Sequence, residues 1–432
     1  MNTAPVATLR PPATRTDDSP RLRVVLIDEE LPYPATSGKR IRTLNLVQRL
    51  AARHQLTYVC HRNADPAELQ AAEAHFAALG VRTVVVERAV PPRSGVGFYA
   101  RLAANLLSRL PYSVASHTSP ALTAALRQLQ QTEPVDLWHC EWSPYAEAIR
   151  TLPGRRVVMA HNVESVIWQR YYETEANRLK RWYIGRQWRK FHAFERDVLS
   201  TADLTVAVST IDAERFRTDL SVPRVAVVDN GVDTRYFHPS DTERDPATLL
   251  FLGSLDWRPN LDAVQQLFGT IFPAVRAQVP EARLLLVGRN PPEWVRKAAS
   301  ETAGVELHAS VPDVRPFLQR STLMVVPLRI GGGSRLKILE SLSAGLPVVS
   351  TRVGAEGLHL QPGQHLDVVD DVAGMADAVT AALADPLRTR EQAFAGREQV
   401  LALYDWDVLA ERLDRLWRRC AAGADIQGEN RS

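Results

Sequence analysis

Short β-rich runs alternate with longer helical patterns along this chain. A polar stretch, Pro239-Ser-Asp-Thr-Glu-Arg-Asp-Pro246, divides them into two sets. Before it the runs are Arg23–Ile27, Leu56–Cys60, Arg82–Val86, Asp136–His139, Arg156–Ala160, Leu204–Val208 and Val225–Val228. After it they are Thr248–Leu252, Arg283–Val287, Val305–His308, Leu323–Pro327, Pro347–Ser350 and Leu366–Val369. Such alternation builds a parallel sheet covered by helices on both faces. So many strands overfill one compact open sheet, and 432 residues exceed one ordinary core. The expectation is an α/β chain of two Rossmann-like, doubly wound domains, over residues 21–238 and 248–405, with a linker at 239–247. Ligands of such sheets bind at the carboxyl ends of the strands. A helix predicted over 406–422 carries Leu409, Leu413, Leu416 and Trp417 on one side and can return across to the first domain.

Composition removes several classes. A net charge of +3 argues against a general nucleic-acid binder. Cys60, Cys140 and Cys420 are far apart and match no metal spacing, so reduced thiols in a cytoplasmic protein are expected. No apolar run approaches the roughly 20 residues that span a bilayer. Residues 1–20 are rich in Pro, Thr, Arg and Ala without an apolar core and read as a disordered arm; 423–432 read as a loose tail.

The most informative stretch is Ile330-Gly-Gly-Gly-Ser-Arg-Leu-Lys-Ile-Leu-Glu340, directly after a buried-strand pattern. Gly331, Gly332 and Gly333 free the backbone for a close approach. Ser334 reads as a helix N-cap. Arg335 and Lys337 then fall in the first helical turn, where the helix dipole disfavours cations. They make sense there if an anion docks at the helix start. Glu340 lies about one and a half turns from Arg335, where a carboxylate can accept hydrogen bonds from vicinal hydroxyls. Phosphate at the helix start and a sugar diol at Glu340 together describe a nucleotide.

These residues, with three further motifs, resemble a retaining glycosyltransferase of family 4, whose fold is called GT-B. Gly331 to Pro347 resembles the family's donor motif. Val228-Asp-Asn-Gly-Val-Asp233 with Phe237 resembles its hinge-side motif. Pro32-Tyr-Pro-Ala-Thr-Ser-Gly38 resembles the loop that faces the donor diphosphate. His161-Asn-Val-Glu164, after a strand, resembles the His motif beside the transferred sugar. The resemblance runs from about Leu22 to Trp417. It implies two domains facing a cleft and transfer of a sugar, with retention, from a nucleoside-diphosphate sugar to a hydroxyl on a growing glycan or lipid-linked saccharide. His161 would be catalytic. Gly38, Ser254, Arg258, Gly332, Gly333, Ser334, Arg335, Lys337 and Glu340 would bind the donor. No cofactor and no metal is implied, and no Asp-x-Asp pair stands near the proposed site.

Two departures from the family pattern stand out. Its donor helix often carries two glutamates; here Gly332 replaces the first, marking a variant subgroup. Its diphosphate clamps, Arg and Lys after the first glycine of the second domain, are replaced by Ser254 and Pro259. Arg258, or Arg335 with Lys337, can make up that charge. Lys39, Arg40 and Arg42 also stand at a helix start, facing phosphate or solvent. The alternatives are a sugar-nucleotide epimerase on the same fold and a catalytically silent sugar-nucleotide-binding subunit. Slow donor hydrolysis by the purified protein argues against the silent subunit.

Ile167 to Glu195 mixes aromatics, among them Trp168, Tyr171, Trp182 and Phe194, with Arg178, Lys180, Arg181, Arg189 and Lys190. A basic, aromatic helix can lie on an anionic membrane surface, which suits a peripheral enzyme at the inner face of the plasma membrane. The competing expectation is that the aromatics pack inward and the charges are solvated.

Overall fold

The computed structural model describes residues 20–88, 94–330 and 335–424. The expected arm and tail, and Gly331, Gly332, Gly333 and Ser334, lie outside these residues. The described chain forms two units: one comprises residues up to 229 and from 410 onward, the other residues 230–409.

In the first unit β1 (Arg23–Asp28), β2 (Gln55–His61), β3 (Arg82–Val86), β4 (Leu137–Cys140), β5 (Arg155–Ala160), β6 (Leu204–Ala207) and β7 (Val225–Val227) form one sheet. Its order is β3-β2-β1-β4-β5-β6-β7, and every pairing is parallel. In the second unit β8 (Thr248–Leu252), β9 (Arg283–Gly288), β10 (Val305–Ala309), β11 (Leu323–Val326), β12 (Val348–Thr351) and β13 (Asp367–Val369) follow the order β10-β9-β8-β11-β12-β13, again all parallel. Both orders reverse beside the first strand of the unit, which is the doubly wound arrangement. Central strands are covered on both faces, so they read as continuous apolar runs: Leu249, Leu250 and Phe251 are wholly buried. Reversal between β8 and β11 opens a crevice at their carboxyl ends, and the loops that leave those two strands carry the motifs singled out above.

Two parts of the sequence reading change here. The polar segment expected to be the linker is tied into the second unit. Arg244 donates to the carbonyls of Leu318, Ser321, Ala344 and Gly345, so one guanidinium caps the carboxyl ends of two helices, Arg315–Arg320 and Leu336–Ser343. The contact boundary falls instead between Asp229 and Asn230. Gly231, just past it, is packed so tightly that a Cβ would stand 2.6 Å from Leu409 and 2.7 Å from the Tyr404 carbonyl. The segment 167–195, in turn, belongs to two helices, Glu164–Thr174 and Arg178–Ser200, that pack on each other.

The last helix, Trp406–Ala421, contributes residues to both units. Leu409, Leu413, Leu416 and Trp417 are buried, as their spacing predicts. In the first unit Asp414 accepts from Arg53 (3.0 Å) and pairs with His54 (2.9 Å). Trp417 Nε1 donates to His139 Nδ1 at 3.0 Å.

Candidate functional site

In the second unit β8 runs out at Leu252 into Gly253 and Ser254, and the helix Arg258–Gln266 follows. Asn260, on its first turn, donates from Nδ2 to the Ser254 carbonyl (2.9 Å) and accepts at Oδ1 from Lys337 Nζ (3.0 Å). The Lys337 ammonium also stands 4.5 Å from the ring centre of Phe251, a cation–π contact. A Cβ on Gly253 would lie 2.8 Å from Asn260 and 3.0 Å from Lys337 Nζ. One on Gly288 would lie 1.9 Å from the Gly253 carbonyl. Both glycines are therefore steric requirements for bringing the two strand-end loops together.

The helix bearing Lys337 spans Leu336–Ser343, and its cap is Arg335, not the expected Ser334. Arg335 has φ 49° and ψ 20°, a left-handed conformation uncommon for a non-glycine residue, and among the described residues no side chain caps the helix. Its side chain is buried, 3.5 Å from Glu356. Within the described residues the first turn thus keeps one of the two expected cations, Lys337. Burial next to the Arg335 charge pushes the Lys337 ammonium down to about 7. Glu340, one turn on, is partly exposed, and its carboxylate accepts no hydrogen bond among the described residues. Burial pushes it up to about 7, against the pull of Lys337. An anion at Lys337 and hydroxyl donors at Glu340 would each stabilise a charge that the protein alone supports poorly.

Ser254 and Pro259 stand where the family pattern has cations, and a cation reaches Ser254 from a third place. Arg289, just past β9, donates from Nε to Ser254 Oγ at 2.6 Å. Sequence reading missed it because β9 becomes a neighbour of β8 only in the sheet. Arg258 is exposed at the start of its helix and makes no hydrogen bond or ion pair among the described residues.

In the first unit Gly38 opens the helix Gly38–Ala51, capped by Ser37, and a Cβ on it would meet nothing within 4 Å. The cations after it face neither phosphate nor solvent alone. Lys39 pairs with Asp28, and Arg40 with Glu30 and Glu68. Arg42 is buried and donates to the carbonyls of Val228 and Asp229. His161 follows β5 and lies 3.6 Å from Glu141, with 12% of its side chain exposed. Glu141 is fully enclosed and also meets Thr43 Oγ1 (3.1 Å) and His139 Nε2 (3.1 Å). Because Trp417 can only donate, His139 Nδ1 must accept, so Nε2 carries the proton given to Glu141. That carboxylate is thereby held well below its ordinary value, despite burial, by His139 and His161. Burial lowers His161 and Glu141 opposes it. Glu141 is the charged neighbour of His161, at 3.6 Å, and nothing in its local sequence announced it. Among the described residues no group of three or more His, Cys, Asp or Glu could hold a metal, and the three cysteines are free and buried.

The family described as Glycosyltransferase Family 4 matches residues 37–236, and that described as Glycosyl transferases group 1 matches residues 246–385. A glycogen synthase of Mycobacterium tuberculosis is 27% identical over 55% of this chain and 59% of its own length, so the chain spans under two thirds of that relative. Among solved structures, the sucrose-phosphate synthase of Thermosynechococcus elongatus aligns over 94% of this chain and 100% of its own, with a TM-score of 0.66 at 19% identity. The Anabaena protein HepE, solved with UDP and glucose, aligns over 92% and 100%, with a TM-score of 0.62 at 11% identity. Two successive family matches, one over each of the two all-parallel sheets, support a glycosyltransferase family 4-like chain with the GT-B fold.

Proposed function

We propose that the protein transfers a hexosyl group from a nucleoside-diphosphate sugar to a hydroxyl acceptor, with retention. The observation that carries this reading is the arrangement of Gly253, Asn260, Lys337 and Glu340 at the switch point of the second sheet. Lys337 supplies charge for the departing diphosphate. Glu340 accepts from the ribose, and Arg258, Arg289 and Arg335 add charge around the phosphates. Gly332, Gly333 and Ser334 remain candidates for donor binding, as does Gly38 in the first unit, where His161 is the catalytic candidate. UDP, bound by HepE, is the first donor base to try. Calorimetry with UDP, GDP and ADP, followed by an assay for nucleoside diphosphate released from the matching sugar nucleotides, tests the reading. Failure of all three to bind would end it.

This arrangement has a pH signature. Below about pH 7 Glu340 gains a proton and loses the charge that strengthens its bonds to hydroxyls; above it Lys337 loses its charge. Nucleotide affinity is expected to peak near neutrality and fall on both sides, as a property of the pair. Glu340→Gln should remove the acidic limb and Lys337→Arg the alkaline one. A calorimetric pH series in which neither variant alters the profile would contradict this.

The acceptor in this reading is a growing glycan or a lipid-linked saccharide, reached at the inner face of the plasma membrane. No described helix is long and apolar enough to cross a membrane. In the helix pair Phe191 and Phe194 are buried, and the half-buried Trp168 stacks on Phe191. Tyr171, Leu179 and Trp182 remain 56%, 75% and 52% exposed beside exposed Arg178, Lys180 and Arg181. Lys190 donates to the Asn105 carbonyl and is part of the scaffold. Co-sedimentation with anionic vesicles at low salt is expected, lost at high salt and in an Arg178, Lys180 and Arg181 to Glu variant, since each basic residue contributes about 1 kcal/mol at such a surface. No binding to any vesicle would shift the acceptor to a soluble glycan.

A further inference from the structure

A second group of side chains in the first unit is used neither by the donor reading nor by His161. It gathers at the carboxyl ends of four neighbouring strands. Glu29 follows β1, His61 ends β2, Arg88 follows β3 and Trp142 follows β4. Tyr145 belongs to the short turn Ser143–Tyr145, and His117 closes the helix Tyr112–His117. The Glu29 carboxylate lies 3.3 Å from His117 Nε2 and 3.8 Å from Arg88 Nη1. The His117 ring stands edge-on to Trp142 at 5.0 Å and to Tyr145 at 5.6 Å. The Tyr145 hydroxyl is 3.1 Å from His61 Nδ1.

Two observations bear on what this cluster can take up. First, His61 Nε2 and Ser143 Oγ have no hydrogen-bond partner, although each residue is only 1% exposed. Buried polar atoms in that state call for a partner that the protein itself does not supply. Second, exposure is graded. The Glu29 side chain is 39% exposed, whereas His117 and Arg88 behind it are 14% and 15% exposed. His117, first among its partners, holds the Glu29 carboxyl down to about 2, so the outermost group is ionised. An ionised carboxylate only accepts hydrogen bonds. A phosphate or another anion would meet it as a like charge, whereas vicinal hydroxyls can donate to both its oxygens.

We propose that this cluster is a binding subsite for a neutral saccharide, held by a pair of its hydroxyls on Glu29, with His61 Nε2 and Ser143 Oγ as further polar partners and the half-buried Trp142 indole as a wall. The proposal rests on the transferase reading in making that saccharide the acceptor. The test is binding of labelled protein to an array of neutral mono- and oligosaccharides with glucose, galactose, mannose and N-acetylglucosamine termini, beside sialylated and phosphorylated controls. The wild-type protein is expected to bind one or more neutral glycans, and Glu29→Gln to lose at least tenfold of that binding. Ser143→Ala should weaken glycan binding with the Tm unchanged or raised, because a hydroxyl without a partner contributes nothing to the free protein. Both variants should bind UDP within twofold of wild type. No binding to neutral glycans, binding to the anionic ones alone, or unaltered binding by Glu29→Gln would overturn the subsite. Glycan binding that depends on Glu29 in a protein that binds no nucleotide would uphold the subsite and remove the donor reading instead.

Discussion

Replacing Lys337 by alanine is expected to lower turnover by about 10²- to 10³-fold, the usual effect of removing one preorganised charge from a developing anion. The variant should nevertheless fold as well as wild type. Lys337 is a cation that burial beside Arg335 holds down to about 7, below its ordinary 10.5. A folded value below the unfolded one means that the native state disfavours the ammonium at every pH under 10.5, most fully below 7. Loss of the charge therefore removes a destabilising group, while Asn260 keeps its bond to the Ser254 carbonyl. Single-turnover rates at saturating donor, with thermal unfolding as the control, check both halves. A variant with the wild-type rate would show that the leaving group is stabilised elsewhere, with Arg289 the next residue to replace.

For Glu340→Ala the loss is expected in affinity rather than in rate. Two charge-assisted hydrogen bonds to a diol are worth about 1.5–3 kcal/mol, which is about 10- to 150-fold in Kd. The reacting carbon lies beyond the phosphates from the ribose, so kcat at saturating donor should change little. Stability again moves the other way. Glu340 is raised by burial from 4.5 to about 7, so the folded state disfavours its charge above pH 4.5, fully above 7. Glu340→Gln should thus hold or raise the Tm at about pH 8 while binding UDP more weakly. Unchanged UDP affinity by calorimetry would sink the ribose assignment.

The helix start at Ile330–Glu340 shows how far a local pattern reaches. Glycines followed by Arg, Lys and Glu at helical spacing pointed to an anion and a diol, and Lys337 and Glu340 do stand one turn apart with shifted titration. Spacing alone placed the cap at Ser334. The backbone instead turns at Arg335, because the cap is decided by dihedral angles that propensity only biases. For Lys39, Arg40 and Arg42, the sequence identified cations in a disfavoured position, and tertiary structure supplied partners: Asp28, Glu30, Glu68 and two β7-end carbonyls.

By itself the sequence determined the strand alternation, the two doubly wound domains and the strand ends at which chemistry belongs. Those follow from period and order, which are local properties of the chain. Tertiary structure alone decided the rest. Arg289 meets Ser254 because β9 pairs with β8, and Glu141 stands beside His161 because β4 lies beside β5. Trp417 sets the His139 tautomer from the far end of the chain. The Glu29 cluster needs four strands in register before it exists. Contacts between residues far apart in sequence depend on which strands become neighbours, and no single segment encodes that choice.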